Sequence, residues 1–147
     1  EVGKLGLPFT IHAGECGNAV NIAGAIHAGA GRIGHGIAMR GNQELQALCR
    51  ERRIGIEMCP ISNLQTRAVE SVSEYPLREF LDAGLKVTVN TDNRTVSNTT
   101  LSKELEFVQR VYGITDEEII RMMRNAAETV FAGDGVKNRL LKLYEML

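Results

Sequence analysis

The 147-residue sequence predicts an α/β fold in which a parallel sheet is covered by helices. Two observations carry this. Short runs of Ile, Val, Thr and Phe recur at roughly 20- to 30-residue intervals with a helical pattern between them, and that alternation gives parallel pairing. After the last run the chain turns wholly helical. The order fits a doubly wound sheet or part of a (β/α)₈ barrel, and in both the chemistry collects at the carboxyl ends of the strands.

The first strand is expected over Pro8 to His12. A helix capped by Asn18 then runs through Ala28 with Val20, Ile22, Ala23 and Ile26 as its apolar positions, until Gly29 and Gly31 stop it. The second strand, Arg32 to Gly36, leads to a helix opened by Asn42, where Leu45, Leu48 and Cys49 repeat at helical spacing. Arg52 and Arg53 suit the negative end of its dipole. The third strand spans Ile54 to Cys59, and a shorter helix follows Pro76, with Leu77, Phe80 and Leu81 on one face and Gly84 at its end. The fourth strand spans Lys86 to Thr91.

Three helices complete the chain. Leu101, Leu105, Val108 and Tyr112 form the stripe of the first. Thr115 and Glu118 make a capping box for the second, which carries Ile119, Met122, Met123, Ala126, Ala127 and Val130. The third starts near Asp134 with Val136, Leu140, Leu143 and Leu147. All three stripes are expected to face a core.

Composition narrows the function. Seventeen Lys and Arg against 18 Asp and Glu leave a net charge of −1, so no basic field exists for nucleic acid or an anionic membrane. The cysteines Cys16, Cys49 and Cys59 are odd in number and lack a C-x-x-C pair, which points to a reducing, cytoplasmic setting rather than a disulfide framework. No apolar run approaches the roughly 20 residues of a bilayer span. The chain opens at Glu1, which suggests that residues upstream are missing.

The strand ends carry the chemistry. They read His12-Ala13-Gly14-Glu15, Gly34-His35-Gly36, Cys59-Pro60-Ile61-Ser62-Asn63 and Asn90-Thr91-Asp92-Asn93, and two of the chain's three histidines are among them. Imidazole and carboxylate converging on one mouth are what a divalent metal such as zinc requires. Each residue also has a plainer reading. His12 could be a satisfied core histidine, Glu15 a dipole partner for the next helix, Gly34 and Gly36 turn formers, and the Asn90 to Asn93 tetrad a helix start. His27 is expected to be structural or exposed, and the cysteines unreactive.

In combination and order these motifs resemble the C-terminal half of adenosine deaminases, metal-dependent TIM-barrel hydrolases of the amidohydrolase superfamily. The resemblance runs through residues 1–147 and implies one partial barrel domain: strands five to eight and the terminal helices, incomplete as given. It implies that His12 and Asp92 are zinc ligands, that Glu15 shares a proton with purine N1, and that His35 stands beside the attacking water. The implied reaction is hydrolytic deamination of adenosine, and deoxyadenosine, to inosine and ammonia. Gly14 and Asn93 are then expected to bind substrate.

Two departures matter. The family usually places a second Asp and then Pro after the metal-binding Asp, where this chain has Asn93-Arg94. An Asn amide can donate to purine N7 without titrating. The family also draws two zinc ligands from an H-x-H motif, which this chain lacks. The expectation is therefore of an inactive half whose bare sheet edges await the missing N-terminal half or favour self-association. Adenine deaminase, another deaminase-like hydrolase, or a non-catalytic half-barrel module are the alternatives.

Overall fold

The computed structural model describes residues 2–144. Glu1 and Leu147, the last member of the expected terminal stripe, lie outside the described residues.

Four parallel strands, β1 (Thr10–Ala13), β2 (Arg32–His35), β3 (Gly55–Met58) and β4 (Lys86–Val89), pair in sequential order. Sequential order distinguishes this sheet from a doubly wound one, in which the order reverses at a switch point. Right-handed crossovers between adjacent strands then put the connecting helices on one face, as in a barrel wall. These helices are α1 (Ala19–His27), α2 (Gln43–Glu51) and α4 (Leu77–Asp82), while α3 (Pro60–Gln65) lies at the carboxyl end of β3.

The register explains how the faces are sorted. Ile33, Ile56 and Val87 lie side by side across β2, β3 and β4 with no exposed surface, and with Ile22, Ile26, Leu77 and Phe80 they belong to one core. Alternation sends the next row, His12, Gly34, Glu57 and Thr88, to the opposite face. On that inner face Thr10 Oγ1 donates to Glu57 Oε2 at 2.7 Å, and Arg32 Nε lies 2.8 Å from Glu57 Oε1.

The expected caps hold. Asn18 Oδ1 accepts from Val20 N at 2.8 Å, and Asn42 Oδ1 from Leu45 N at 3.0 Å. After β4 come α5 (Arg94–Ser97), α6 (Leu101–Tyr112), α7 (Asp116–Thr129) and α8 (Asp134–Tyr144), with the Thr115–Glu118 capping box formed.

Three expectations change. The first strand begins at Thr10, and the third and fourth stop at Met58 and Val89, so the motif residues Cys59, Thr91 and Asp92 lie in the loops beyond. The segment after β3, for which the sequence predicts no element, is the helix α3, because Pro60 at its first position has the helical φ built in. The helical stripes face a core only in part. Val108, Met122 and Ala127 are buried, yet α8 buries no residue, and Leu101, Met123, Val136 and Leu143 are exposed. The reason is position: α7 packs on β4, an edge strand, and α8 packs on α7. Leu101, Met123, Val89 and Tyr144 are left lining a groove of about 110 Å³ beside that edge. No described helix is long and apolar enough to cross a membrane.

Candidate active site

The site is built from glycines upward. Gly34 lies opposite His12 in the β1–β2 register, and a Cβ there would come within 3.2 Å of the His12 ring. Its absence lets the imidazole lie across β2. The ring meets that of His35 edge-on, with centroids 4.9 Å apart. Gly14 has φ +67°, and an added Cβ would fall 2.5 Å from Ile22 Cδ1. This turn brings Glu15 over the sheet end, and Gly14 O accepts from Ala38 N at 2.8 Å.

His35 is 1% exposed and Asp92 is exposed, but both have left-handed φ, +68° and +53°. Non-glycine residues are held there only when their surroundings demand it, and such strain gathers at functional sites. His35 Nε2 stands 3.5 Å from Glu15 Oε2. His12, Glu15 and His35 therefore form one cluster at the carboxyl ends of β1 and β2. Asp92 is held separately, its Oδ2 accepting from Ser62 Oγ at 2.7 Å.

The two parts are joined through α3. Ser62 reaches Asp92 while its neighbour Asn63 reaches the cluster, placing Nδ2 3.0 Å from His35 Nδ1 and 3.4 Å from Glu15 Oε1. Tyr75 donates its hydroxyl to Asn63 Oδ1 at 3.2 Å. The buried Glu104 accepts from Ile61 N at 3.2 Å, supporting the start of the same helix, and burial raises its carboxyl above the ordinary 4.5. The motif pointed to Ser62 and Asn63 without assigning them a task. Tyr75 and Glu104 carried no signal, since their partners are distant in sequence.

Asn93 does what a plain helix start requires. Its Oδ1 accepts from Thr95 N at 3.1 Å and Val96 N at 3.0 Å, capping α5. Capping uses only the oxygen, so the amide nitrogen remains a donor. His27 is exposed, with Nδ1 3.0 Å from Ala23 O, as its structural reading has it. Burial, then Asp92, Glu104, Glu57 and Glu15, push the Cys59 thiol up to about 12, which keeps it protonated and unreactive at neutral pH.

His12 and Asp92 offer one nitrogen and one oxygen, a donor chemistry suited to zinc, from the ends of the two edge strands. Among the described residues no three His, Cys, Asp or Glu side chains gather as a metal-binding group. A cavity of about 540 Å³ opens beside Glu15, walled by Ile37, Arg40, Arg67, Val69 and Glu74, and its size suits a small organic ligand.

The sequence profile of the adenosine deaminase family matches residues 2–145. An adenosine deaminase of Enterococcus faecalis is 45% identical over 137 residues, which are 93% of this chain and 41% of that protein. Among solved structures, adenine deaminase from Arthrobacter aurescens superposes with a TM-score of 0.91 at 29% identity, covering 98% of this chain and 44% of that one. An amidohydrolase from Burkholderia ambifaria with bound zinc superposes at 0.87 and 25% identity, over 98% of this chain and 42% of its own. The chain thus spans about two-fifths of the length of the curated relatives it matches. Its sequential parallel sheet, the acid and histidines at its strand ends, and a profile match over nearly every residue agree: the chain belongs to the adenosine deaminase family.

Proposed function

We propose that the 147 residues form strands five to eight and the terminal helices of a deaminase barrel, and that the complete protein hydrolyses adenosine and deoxyadenosine to inosine and ammonia. The observation that carries this reading is Glu15 meeting His35 at 3.5 Å beside the His12 ring, in a chain of this family. His12 and Asp92 would hold zinc, with two further ligands supplied from outside the chain. When bound, zinc lowers the pKa of water from 15.7 towards roughly 7 and so supplies hydroxide at neutral pH.

The chain's own residues do the rest. Glu15 gives its proton to purine N1 as oxygen adds at C6, so the ring loses aromaticity without building negative charge. His35 orients and stabilises the attacking oxygen. Asp92, held by Ser62, helps to aim that oxygen, and Gly14 and Asn93 line the purine, Asn93 donating to N7. A proton then passes to the exocyclic nitrogen, the C6–N bond breaks and ammonia leaves. Overall one water is consumed. An uncharged nucleoside needs no basic patch, in keeping with the net charge of −1. The free thiols fit a cytoplasmic setting.

One observation favours a second reading, in which the free base is the substrate: the TM-score of 0.91 with an adenine deaminase. The test is to supply the complete, zinc-loaded protein with adenosine and with adenine in competition. Adenosine is expected to be consumed first, and Glu15→Gln to lower kcat by about 10²- to 10⁴-fold. Preferred consumption of adenine would move the assignment to the second reading. A Glu15→Gln protein with the wild-type rate would remove both.

A further inference from the structure

Asn63, Tyr75 and His35 are 0%, 4% and 1% exposed, so their polar atoms must satisfy one another rather than water. Tyr75 lies 12 residues beyond Asn63, outside every strand-end motif. Burial pushes its phenol well above the ordinary 10, so the hydroxyl keeps its proton and donates to Asn63 Oδ1. That contact turns the Asn63 amide so that its nitrogen faces His35 Nδ1 at 3.0 Å and Glu15 Oε1 at 3.4 Å. The opposite orientation would point the Tyr75 O–H at an amide nitrogen, which accepts no hydrogen bond.

An amide nitrogen only donates, so His35 Nδ1 is the acceptor. A neutral imidazole has one N–H, which then sits on Nε2, the nitrogen 3.5 Å from Glu15 Oε2. We propose that Tyr75 and Asn63 are positioning residues that hold His35 as its Nε2–H tautomer, so that it presents a hydrogen-bond donor to the reacting centre instead of a basic lone pair. This deepens the deaminase reading and, for its catalytic consequence, rests on it. His35 then stabilises and aims the attacking oxygen, and proton transfer is left to Glu15.

The experiment is ¹⁵N–¹H correlation spectroscopy of the complete zinc-loaded protein labelled at histidine, with the His35 signals assigned by their loss in His35→Gln. The expected result is a proton on Nε2 in the wild type, a mixture of tautomers in Tyr75→Phe and a proton on Nδ1 in Asn63→Asp. Tyr75→Phe keeps the ring in place, so it remains informative if the buried Asn63→Asp change disturbs folding. In adenosine turnover Tyr75→Phe should lower kcat about tenfold, the worth of one hydrogen bond, with KM within about twofold. A proton on Nδ1 in the wild type, or a tautomer unmoved by Tyr75→Phe, would overturn the assignment. A shift in KM alone would overturn the positioning role. If adenosine is not deaminated while the tautomer responds as described, the deaminase reading fails and the Tyr75–Asn63–His35 assignment stands.

Discussion

Gly14 shows how one residue fixes the site. Its φ of +67° strains any side chain, and a Cβ would sit 2.5 Å from Ile22 Cδ1, the end of a fully buried core side chain. Gly14→Ala is therefore expected to cost about 2–4 kcal/mol in urea unfolding, combining left-handed strain with overpacking. A loss below about 1 kcal/mol would mean the turn relaxes freely. Glu104 makes a second case, through pH. Burial raises its carboxyl above 4.5, so the folded state holds the proton more tightly than the unfolded chain. The stability this group gives is complete below 4.5 and is lost as pH rises through the raised folded value. Glu104→Gln keeps an oxygen for Ile61 N and cannot ionise. Its melting temperature should pull ahead of the wild type as pH increases from acid to neutral, and parallel profiles would show that the carboxyl is not desolvated. That His12, Glu15, His35 and Asp92 lie in or just past the strands was legible in the sequence, because β-rich runs alternate with helical patterns there. Tyr75 and Glu104 were not, since a residue that acts through a partner 12 or 43 positions away leaves no local pattern.

Short elements separate two tasks of the same side chain. Asn93 caps α5 with its oxygen and, in the proposed site, offers its nitrogen to purine N7. Asn93→Ser keeps an N-cap but is too short to reach the ring, whereas Asn93→Ala loses both. Asn93→Ser should unfold like the wild type yet raise KM in the complete enzyme, and Asn93→Ala should also lose about 1 kcal/mol of stability. A wild-type KM in Asn93→Ser would leave capping as the whole role. At the other end of the sheet Glu128 on α7 is an anchor for β4: it pairs with Lys86, with Arg53 at 3.0 Å and with Arg124 at 3.5 Å. Glu128→Gln should cost about 1–2 kcal/mol, because a half-buried charged partnership becomes a neutral one. Equal unfolding midpoints would show that α7 is held by its apolar contacts alone. Elements with caps and periodic stripes, α1, α2, α6 and α7, could be read from residues. α3 hid inside a motif whose Pro60 reads equally well as the end of a strand.

The whole molecule is governed by its two edges. Among the described residues β1 and β4 each pair on one side only; His12 lies in β1 and Asp92 just beyond β4. Edge backbone invites further strands. The groove beside β4 adds exposed Leu101 and Met123 to that invitation. Zinc sites usually take four donors, so if His12 and Asp92 supply two of them as proposed, association and metal binding are linked through whatever strands cover these edges. The 147-residue chain alone is therefore expected to sediment as larger species with rising concentration, to bind well under one zinc per chain and to form no inosine. A discrete, metal-free dimer would favour a half-barrel module that covers its edges with a second copy. One zinc per chain together with inosine formation would show that this segment completes the site by itself, and the proposed need for outside ligands would fall. The sign of the linkage is testable as well. If outside strands cover the edges and complete the site, supplying them should suppress self-association and restore zinc binding in the same titration.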